Sequence, residues 1–138
     1  MGGVQNFRDT GEMLVALKPD LPVYALRPHE LRRTAENFTQ SFPGDVLYAV
    51  KANPHPDVLR ALHAGGIRHF DVASLHEARL VRGLFPEASA YFMHPVKSVG
   101  AIREASAELG LRHFVVDHPD ELAKVLIHTM PRKPVIVV

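Results

Sequence analysis

Apolar residues along this chain fall into two alternating patterns. Short runs rich in β-branched and aromatic residues are typical of strands, and they recur about every 22 residues, at 46–50, 69–73, 90–93, 113–116 and 134–138. The stretches between these runs carry apolar residues at helical spacing. Segments that alternate in this way predict parallel strands joined by right-handed helical crossovers.

Cap and turn residues mark the ends of the predicted helices. Pro56 and Pro119 stand where a proline is tolerated in the first turn of a helix. Ser74 is followed three residues later by Glu77, which is a capping-box pattern. Gly65, followed by a second glycine, comes after an apolar stripe and predicts a helix end.

The near-equal length of the units favours an α/β fold built as a (β/α)8 TIM barrel. A whole barrel needs eight units and about 250 residues, whereas this chain of 138 residues carries about five units. We therefore predict an N-terminal tail over 1–20 and a partial barrel over 21–138, truncated at the C-terminus because the last strand runs into Val138. The alternative is a complete five-stranded flavodoxin-like domain.

One further apolar run, LPVYAL at 21–26, precedes the first unit and also predicts a strand. It lies outside the regular spacing, which is compatible with a second β-domain packed against the barrel. The segment 29–42 that follows predicts a helix with Leu31, Ala35 and Phe38 on one face.

Composition narrows the class of protein and its partners. Hydrophobic residues make up 46% and charged residues 22% of the chain, as in soluble globular proteins. The net charge of +1 argues against nucleic acid or an acidic membrane as the main partner. The absence of cysteine excludes disulfides, thiolate nucleophiles and cysteine-ligated metals. With no bilayer-length apolar run and no signal peptide, we expect a cytoplasmic protein.

The carboxyl ends of barrel strands are where active sites are built. That rule selects four residues, namely Lys51, Ser74, His94 and Asp117. Lys51 continues an apolar strand, so partial desolvation is expected to favour the neutral amine that a Schiff base with an aldehyde cofactor requires. The alternative is a lysine that extends its ammonium into solvent at a strand end.

Other polar residues are open to two interpretations each. Asp71 lies within an apolar strand, where it could face the Lys51 amine or be bonded to backbone or an arginine. His94 precedes a proline at a strand end and is a structural histidine in the alternative interpretation. Lys97 is expected in solvent on the first turn of the next helix. The histidines show no convincing metal-binding spacing, so no metal site is predicted.

Four blocks in order, YAVKAN, FDVASLHEARLV, YFMHPVKS and FVVDHPDEL, resemble the fold-type III pyridoxal-phosphate decarboxylases. This is the ornithine, diaminopimelate and arginine decarboxylase group, built on the alanine-racemase-like barrel, and the resemblance covers about residues 20 to 138. It implies that Lys51 forms the Schiff base with pyridoxal 5'-phosphate (PLP). It also implies that Ala49 lies close to the cofactor ring and that Asp71 lies near the lysine and cofactor. His94 is the remaining candidate for cofactor binding.

The resemblance also implies a substrate and an assembly. The HPVKS block looks most like that of ornithine-decarboxylase-like members, so ornithine, converted to putrescine in polyamine biosynthesis, ranks first. Lysine, arginine and diaminopimelate rank behind it. The resemblance implies a homodimer at full length. It also implies that the histidine stacking on the cofactor, the phosphate-binding glycines and the glutamate facing the pyridine nitrogen come after Val138. The 138 residues alone are therefore expected to be inactive.

Two hypotheses from other functional classes remain open. One is a non-catalytic relative that binds PLP or regulates a decarboxylase subunit, which a longer chain that makes no amine would favour. The other is a Schiff-base aldolase on the same barrel, which would need no PLP.

Overall fold

The five predicted strands form one parallel sheet in the computed structural model, which describes residues 5–138; residues 1–4 of the predicted tail lie outside the described residues. The strands are β1 (Leu47–Ala49), β2 (His69–Val72), β3 (Ser89–Phe92), β4 (His113–Val115) and β5 (Val135–Val137). The helices are α1 (Thr10–Leu17), α2 (Pro28–Ser41), α3 (Pro56–Ala64), α4 (Leu75–Leu84), α5 (Val99–Ala107) and α6 (Pro119–Thr129).

Strand order distinguishes the two predicted folds. The sheet runs β1-β2-β3-β4-β5, with each strand parallel to the one before it in the chain. A flavodoxin-like sheet would reverse its order near the first strand. Right-handed crossovers between consecutive strands instead place every helix on the same side of the sheet. The partial barrel is therefore confirmed over the flavodoxin-like alternative.

The core lies between the sheet and its helices. Burial alternates along β2 and β3, because successive strand residues face opposite sides. The buried strand residues Phe70, Phe92 and Phe114 belong to one apolar cluster with helix residues such as Leu59 and Ile102. The helices contribute their apolar faces to this core, and each strand contributes every second residue. The core therefore lies on one side of the sheet and supports the strands from that side.

That other, inner face presents the alternate residues in a row across the sheet. Strand register aligns Ala49, Asp71, Tyr91, His113 and Val135, one from each strand. Most of these side chains are half-buried, because no helix of the described chain packs on this side. Polar side chains in this row are therefore only partly removed from solvent.

The predicted helix starts are confirmed, and two of them carry an N-cap that was not predicted. Ser74 Oγ accepts from the backbone N–H of Glu77 at 3.3 Å, and Pro56 and Pro119 open α3 and α6. The N-cap residue is the histidine that precedes each of these prolines. The Nδ1 atoms of His55 and His118 accept from the backbone N–H two residues later, at 3.3 and 3.2 Å, so both rings act as helix caps.

The strand predicted at 21–26 is wrong. These residues form no strand, and their apolar side chains are exposed; the Tyr24 side chain is fully exposed. A strand exists only where another strand takes up its backbone hydrogen bonds, and none of the described residues does so here. The composition of the segment is strand-like, but it has no partner within residues 5–138.

The N-terminal region contains two further differences from expectation. Within the predicted tail, α1 is capped by Asp9, whose carboxylate accepts from the N–H of Glu12 at 2.9 Å, a capping pattern that the sequence analysis missed. In α2, Ala35 is buried and Leu31 packs against the core, but Phe38 is 57% exposed. The division at residue 20 into tail and barrel stays a prediction.

We expect the open sheet edges to make this chain self-associate. Within the described residues β1 and β5 each pair with one neighbour only, and Val135 is 42% exposed at the β5 edge. An unpaired apolar edge templates pairing with another chain. Sedimentation velocity should therefore show a weight-average mass that rises with concentration, and Val135→Lys should reduce that rise. A concentration-independent monomer would contradict this prediction.

Candidate functional site

Lys51 lies at the carboxyl edge of the sheet. β1 passes directly into the 3-10 turn Val50–Ala52, and this turn carries Lys51. Val50 is completely buried beneath it, so the backbone at this point is held by the core. The Lys51 side chain is exposed, contrary to the predicted partial desolvation. The reason is that no part of the described chain covers the inner face beside it.

Asp71 is the residue that the structure brings close to Lys51. It lies on the inner face of β2, and strand register places it opposite Ala49, two residues before Lys51. Burial raises the pKa of Asp71 above its usual value, while the positive charge of Lys51 acts in the opposite direction and the Glu77 carboxylate adds to the rise. The predicted proximity of an acid and the lysine is thus present, as an electrostatic contact rather than a salt bridge.

The loop after β2 is fixed by the helix that follows it. Glu77 Oε2 accepts from the backbone N–H of Ala73 at 2.6 Å, so the carboxylate reaches back over the first turn of α4. Ser74, one of the predicted edge residues, is occupied as the cap of the same helix. Its hydroxyl therefore has a structural role here.

His94 follows β3 at the same edge and is exposed. Its Nδ1 atom accepts from the backbone N–H of Val96 at 3.2 Å, which assigns the ring proton to Nε2. Nε2 is therefore the nitrogen with which this ring can donate to another group. Asp117, the fourth predicted edge residue, is also exposed, in the loop after β4.

Lys97 is not in solvent, contrary to expectation. Its side chain is fully buried, and Nζ lies 3.0 Å from Glu121 Oε1. The sequence placed it near the start of a helix, where lysines are usually exposed. Its burial depends on a carboxylate that lies 24 residues further along the chain, which no local pattern reveals.

A second group of polar residues lies on the inner face, around Tyr91, and was missed by the sequence analysis. Asp45 Oδ1 lies 3.4 Å from His69 Nε2, and His69 Nδ1 lies 2.9 Å from the Tyr91 hydroxyl. The Tyr91 ring stacks on His113 with centroids 4.2 Å apart. Period-two alternation within the strands was the available signal, since His69, Tyr91 and His113 share one face of the sheet.

Residues 5–138 contain neither a cluster of potential metal ligands nor a helix that could span a membrane. No group of three or more potential ligands is placed to hold a metal ion within that range. None of the helices described there is long and apolar enough to cross a membrane.

The electrostatic link between Lys51 and Asp71 predicts a measurable shift. Lys51→Met should raise the pKa of Asp71 further, because the cation that opposes the effect of burial is removed. Carboxyl carbon NMR during a pH titration would report this pKa. Lys133→Met, which removes an exposed charge near the C-terminus, should leave it unchanged. An unchanged or lowered Asp71 pKa in the Lys51 variant would show that the two groups do not interact.

Comparison with known proteins identifies a family that this chain matches over most of its length. The model of the pyridoxal-dependent decarboxylase family, pyridoxal binding domain, matches residues 28–138. A curated lysine/ornithine decarboxylase of Selenomonas ruminantium is 38% identical over 127 residues, which cover 88% of this chain and 32% of the relative. The resemblance inferred from the four sequence blocks is confirmed.

Solved structures agree with the sequence matches. The lysine/ornithine decarboxylase of Vibrio vulnificus, complexed with putrescine, has a TM-score of 0.75 and 28% identity, covering 93% of this chain and 36% of that chain. The structure of SrLDC in complex with PLP and cadaverine has a TM-score of 0.69 and 27% identity, covering 98% of this chain and 36% of that one. The chain spans about a third of the length of the relatives it matches.

Proposed function

Since this chain belongs to the pyridoxal-dependent decarboxylase family, we propose that it is the part of a basic amino-acid decarboxylase that anchors PLP through Lys51. The observation that carries the proposal is the position of the Lys51 amine. It is exposed at the carboxyl edge of the sheet, on a turn held by the buried Val50 and beside the Asp71 carboxylate. An accessible lysine amine at this edge is what attachment of an aldehyde cofactor requires.

The residues at this edge fit PLP. Lys51 would hold the cofactor covalently, and Ala49, two residues before it on the inner face, has a side chain small enough to leave room for a ring. Asp71 would balance the positive charge on Lys51 or on its Schiff base. His94 would donate a hydrogen bond through Nε2, since Nδ1 is occupied by the backbone. When bound, PLP supplies the electron sink that makes loss of carbon dioxide from an amino acid feasible.

Ornithine, converted to putrescine, is the substrate we propose. Two observations support a basic amino acid: the relative from Selenomonas ruminantium is a lysine/ornithine decarboxylase, and the Vibrio vulnificus enzyme was solved with putrescine. Lysine, arginine and diaminopimelate are the alternatives. A longer protein that contains this chain should release putrescine from ornithine faster than it releases the corresponding amine from each alternative. Equal or greater rates with another amino acid would reassign the substrate.

The 138 residues alone are proposed to bind the cofactor without turning over substrate. They form five strands of an eight-stranded architecture, and the inner face beside Lys51 is uncovered. Water then has free access to the cofactor and weakens the electrostatic interactions that a closed site would provide. Steady amine production by the purified chain would contradict this. For the longer protein we propose a homodimer in the cytoplasm with a role in polyamine biosynthesis.

Borohydride trapping tests the cofactor assignment directly. The chain would be incubated with PLP, reduced, digested and analysed by mass spectrometry. A dominant adduct on Lys51, over Lys18, Lys97, Lys124 and Lys133, is the expected result. Labelling spread evenly over the exposed lysines, both in this chain and in a longer protein containing it, would contradict the assignment.

A further inference from the structure

A buried charge cluster joins the loop after β3 to the start of α6. Lys97 and Glu121 form its centre, with Nζ 3.0 Å from Oε1; the exposed fractions of the two side chains are 0% and 6%. Lys124, one turn along α6, pairs with the second carboxylate oxygen of Glu121. The cluster takes no part in the chemistry proposed for Lys51, so its presence requires a separate explanation.

The Lys97 ammonium contacts backbone as well as Glu121. It donates to the carbonyl oxygens of His94, Pro95 and Val115 at 3.0, 3.1 and 2.7 Å. The first two carbonyls belong to the loop after β3, and the third belongs to the last residue of β4. One buried cation therefore holds the loop after β3 against the end of β4 at the carboxyl edge of the sheet.

The backbone of Lys97 strengthens the same link. Its N–H donates to Glu121 Oε1 at 3.1 Å, so the loop is tied to α6 by both the main chain and the side chain. Burial opposes ionisation of Glu121, but hydrogen bonds from Lys124 and Lys97 outweigh it and hold the pKa of Glu121 below its usual value. The carboxylate therefore stays charged, and the link persists, throughout the neutral pH range.

Stability alone is a poor explanation for this cluster. A buried ion pair pays a large desolvation cost, and well-packed apolar side chains of similar volume often stabilise a fold at least as well. What an apolar side chain cannot do is attract several carbonyl oxygens to one point. The feature specific to Lys97 is thus the geometry that it imposes on the loop carrying His94.

We propose that Lys97 is a positioning residue that fixes His94 at the cofactor-binding edge of the sheet. This inference rests on the proposed function for the role of His94, but the fixed position of the loop does not depend on it. Lys97 acts through the carbonyl of His94 itself, only a few bonds from the imidazole. Without the ammonium, the His94 and Pro95 carbonyls lose their donor and the loop can adopt other conformations.

The test compares Lys97→Met with the double variant Lys97→Met/Glu121→Met. The single variant leaves Glu121 buried with only one cation and should lower the thermal midpoint. The double variant removes both charges and should recover most of that midpoint, since apolar packing replaces the pair. Arg79→Met is the matched control, because it removes an ion pair to Glu104 on the helices, away from the carboxyl edge.

Two readouts separate positioning from stability. The first is the NMR signal of the His94 ring, which should be single in the original chain and in the control but broadened or multiple in both Lys97 variants. The second is PLP binding at Lys51, which should weaken about tenfold in the double variant. His94→Ala should weaken binding to a similar extent, and adding it to the double variant should cause little further loss.

A single His94 signal at its original position, with undiminished PLP binding in the double variant, would overturn the proposal. Failure of the proposed function gives a different pattern. In that case the original chain does not take up PLP at Lys51, while the His94 signal still decides whether Lys97 holds the loop. If the single variant does not fold, the double variant provides both readouts.

Discussion

Replacing Lys51 with alanine is expected to abolish specific attachment of PLP to this chain. A Schiff base needs a primary amine, and Lys51 supplies an exposed amine directly after β1, at the carboxyl edge of the sheet. After incubation and borohydride reduction, the variant should carry only the low background label found on other surface lysines. Because the Lys51 side chain is exposed, the thermal midpoint should stay close to that of the original chain.

Lys133→Ala provides the matched control for this experiment. Lys133 is also exposed, in the segment before β5, and its removal should leave the labelling of Lys51 intact. The result that would contradict the prediction is undiminished labelling in the Lys51 variant, with the adduct moved to one other dominant site. Such an outcome would place the cofactor at another lysine.

Gly65→Ala is expected to reduce the free energy of unfolding by about 1–3 kcal/mol, the usual cost of overpacking. Gly65 caps α3 where this helix packs against α2. A Cβ atom there would lie 2.5 Å from the backbone oxygen of Arg32 and 2.6 Å from the Cβ atom of Ala35. Backbone cannot rotate away as a flexible side chain can, so α2 must move. Denaturant unfolding would measure the loss.

Gly83→Ala should have the opposite effect. Gly83 lies in α4, and a Cβ atom at this position would meet nothing within 4 Å. Alanine is favoured over glycine in a helix by about 1 kcal/mol, so this variant should be slightly more stable than the original chain. If both variants shifted stability equally, the close approach of α2 to Gly65 would not be the cause.

Local patterns were sufficient for most of the fold. The five strands lie within one or two residues of their predicted positions. Along β2 and β3 buried and half-buried residues alternate, because successive side chains point to opposite faces of the sheet. Pro56, Ser74 and Pro119 mark helix starts by their own backbone chemistry. The equal spacing of the units then implied the order of the strands.

The errors share a cause, namely dependence on groups distant in sequence. Residues 21–26 have strand-like composition, yet strand formation needs a partner that the described residues do not supply. Lys97, in the loop after β3, is buried because Glu121 of α6 reaches it. Lys51 is exposed because the environment of a strand end depends on what covers the sheet. In each case the residue itself carried no signal.

The candidate site was predictable to the same degree. Position at the carboxyl end of a strand marked Lys51 and His94 as candidates, and a carboxylate within an apolar strand marked Asp71. The polar contact between His69 and Tyr91 was not foreseen, because the register of β2 against β3 decides which side chains meet. Alternation of apolar and polar residues indicates the face on which a residue lies, but not which residue of the neighbouring strand it contacts.

The consecutive strand order bears on how this protein acquires its structure. Each strand pairs with the one made just before it, so every crossover closes a short loop at a modest entropic cost. Contacts of low sequence separation form quickly. A chain emerging from the ribosome can therefore add one βα unit at a time to a growing sheet, with Lys51 placed on its turn as soon as the second unit docks.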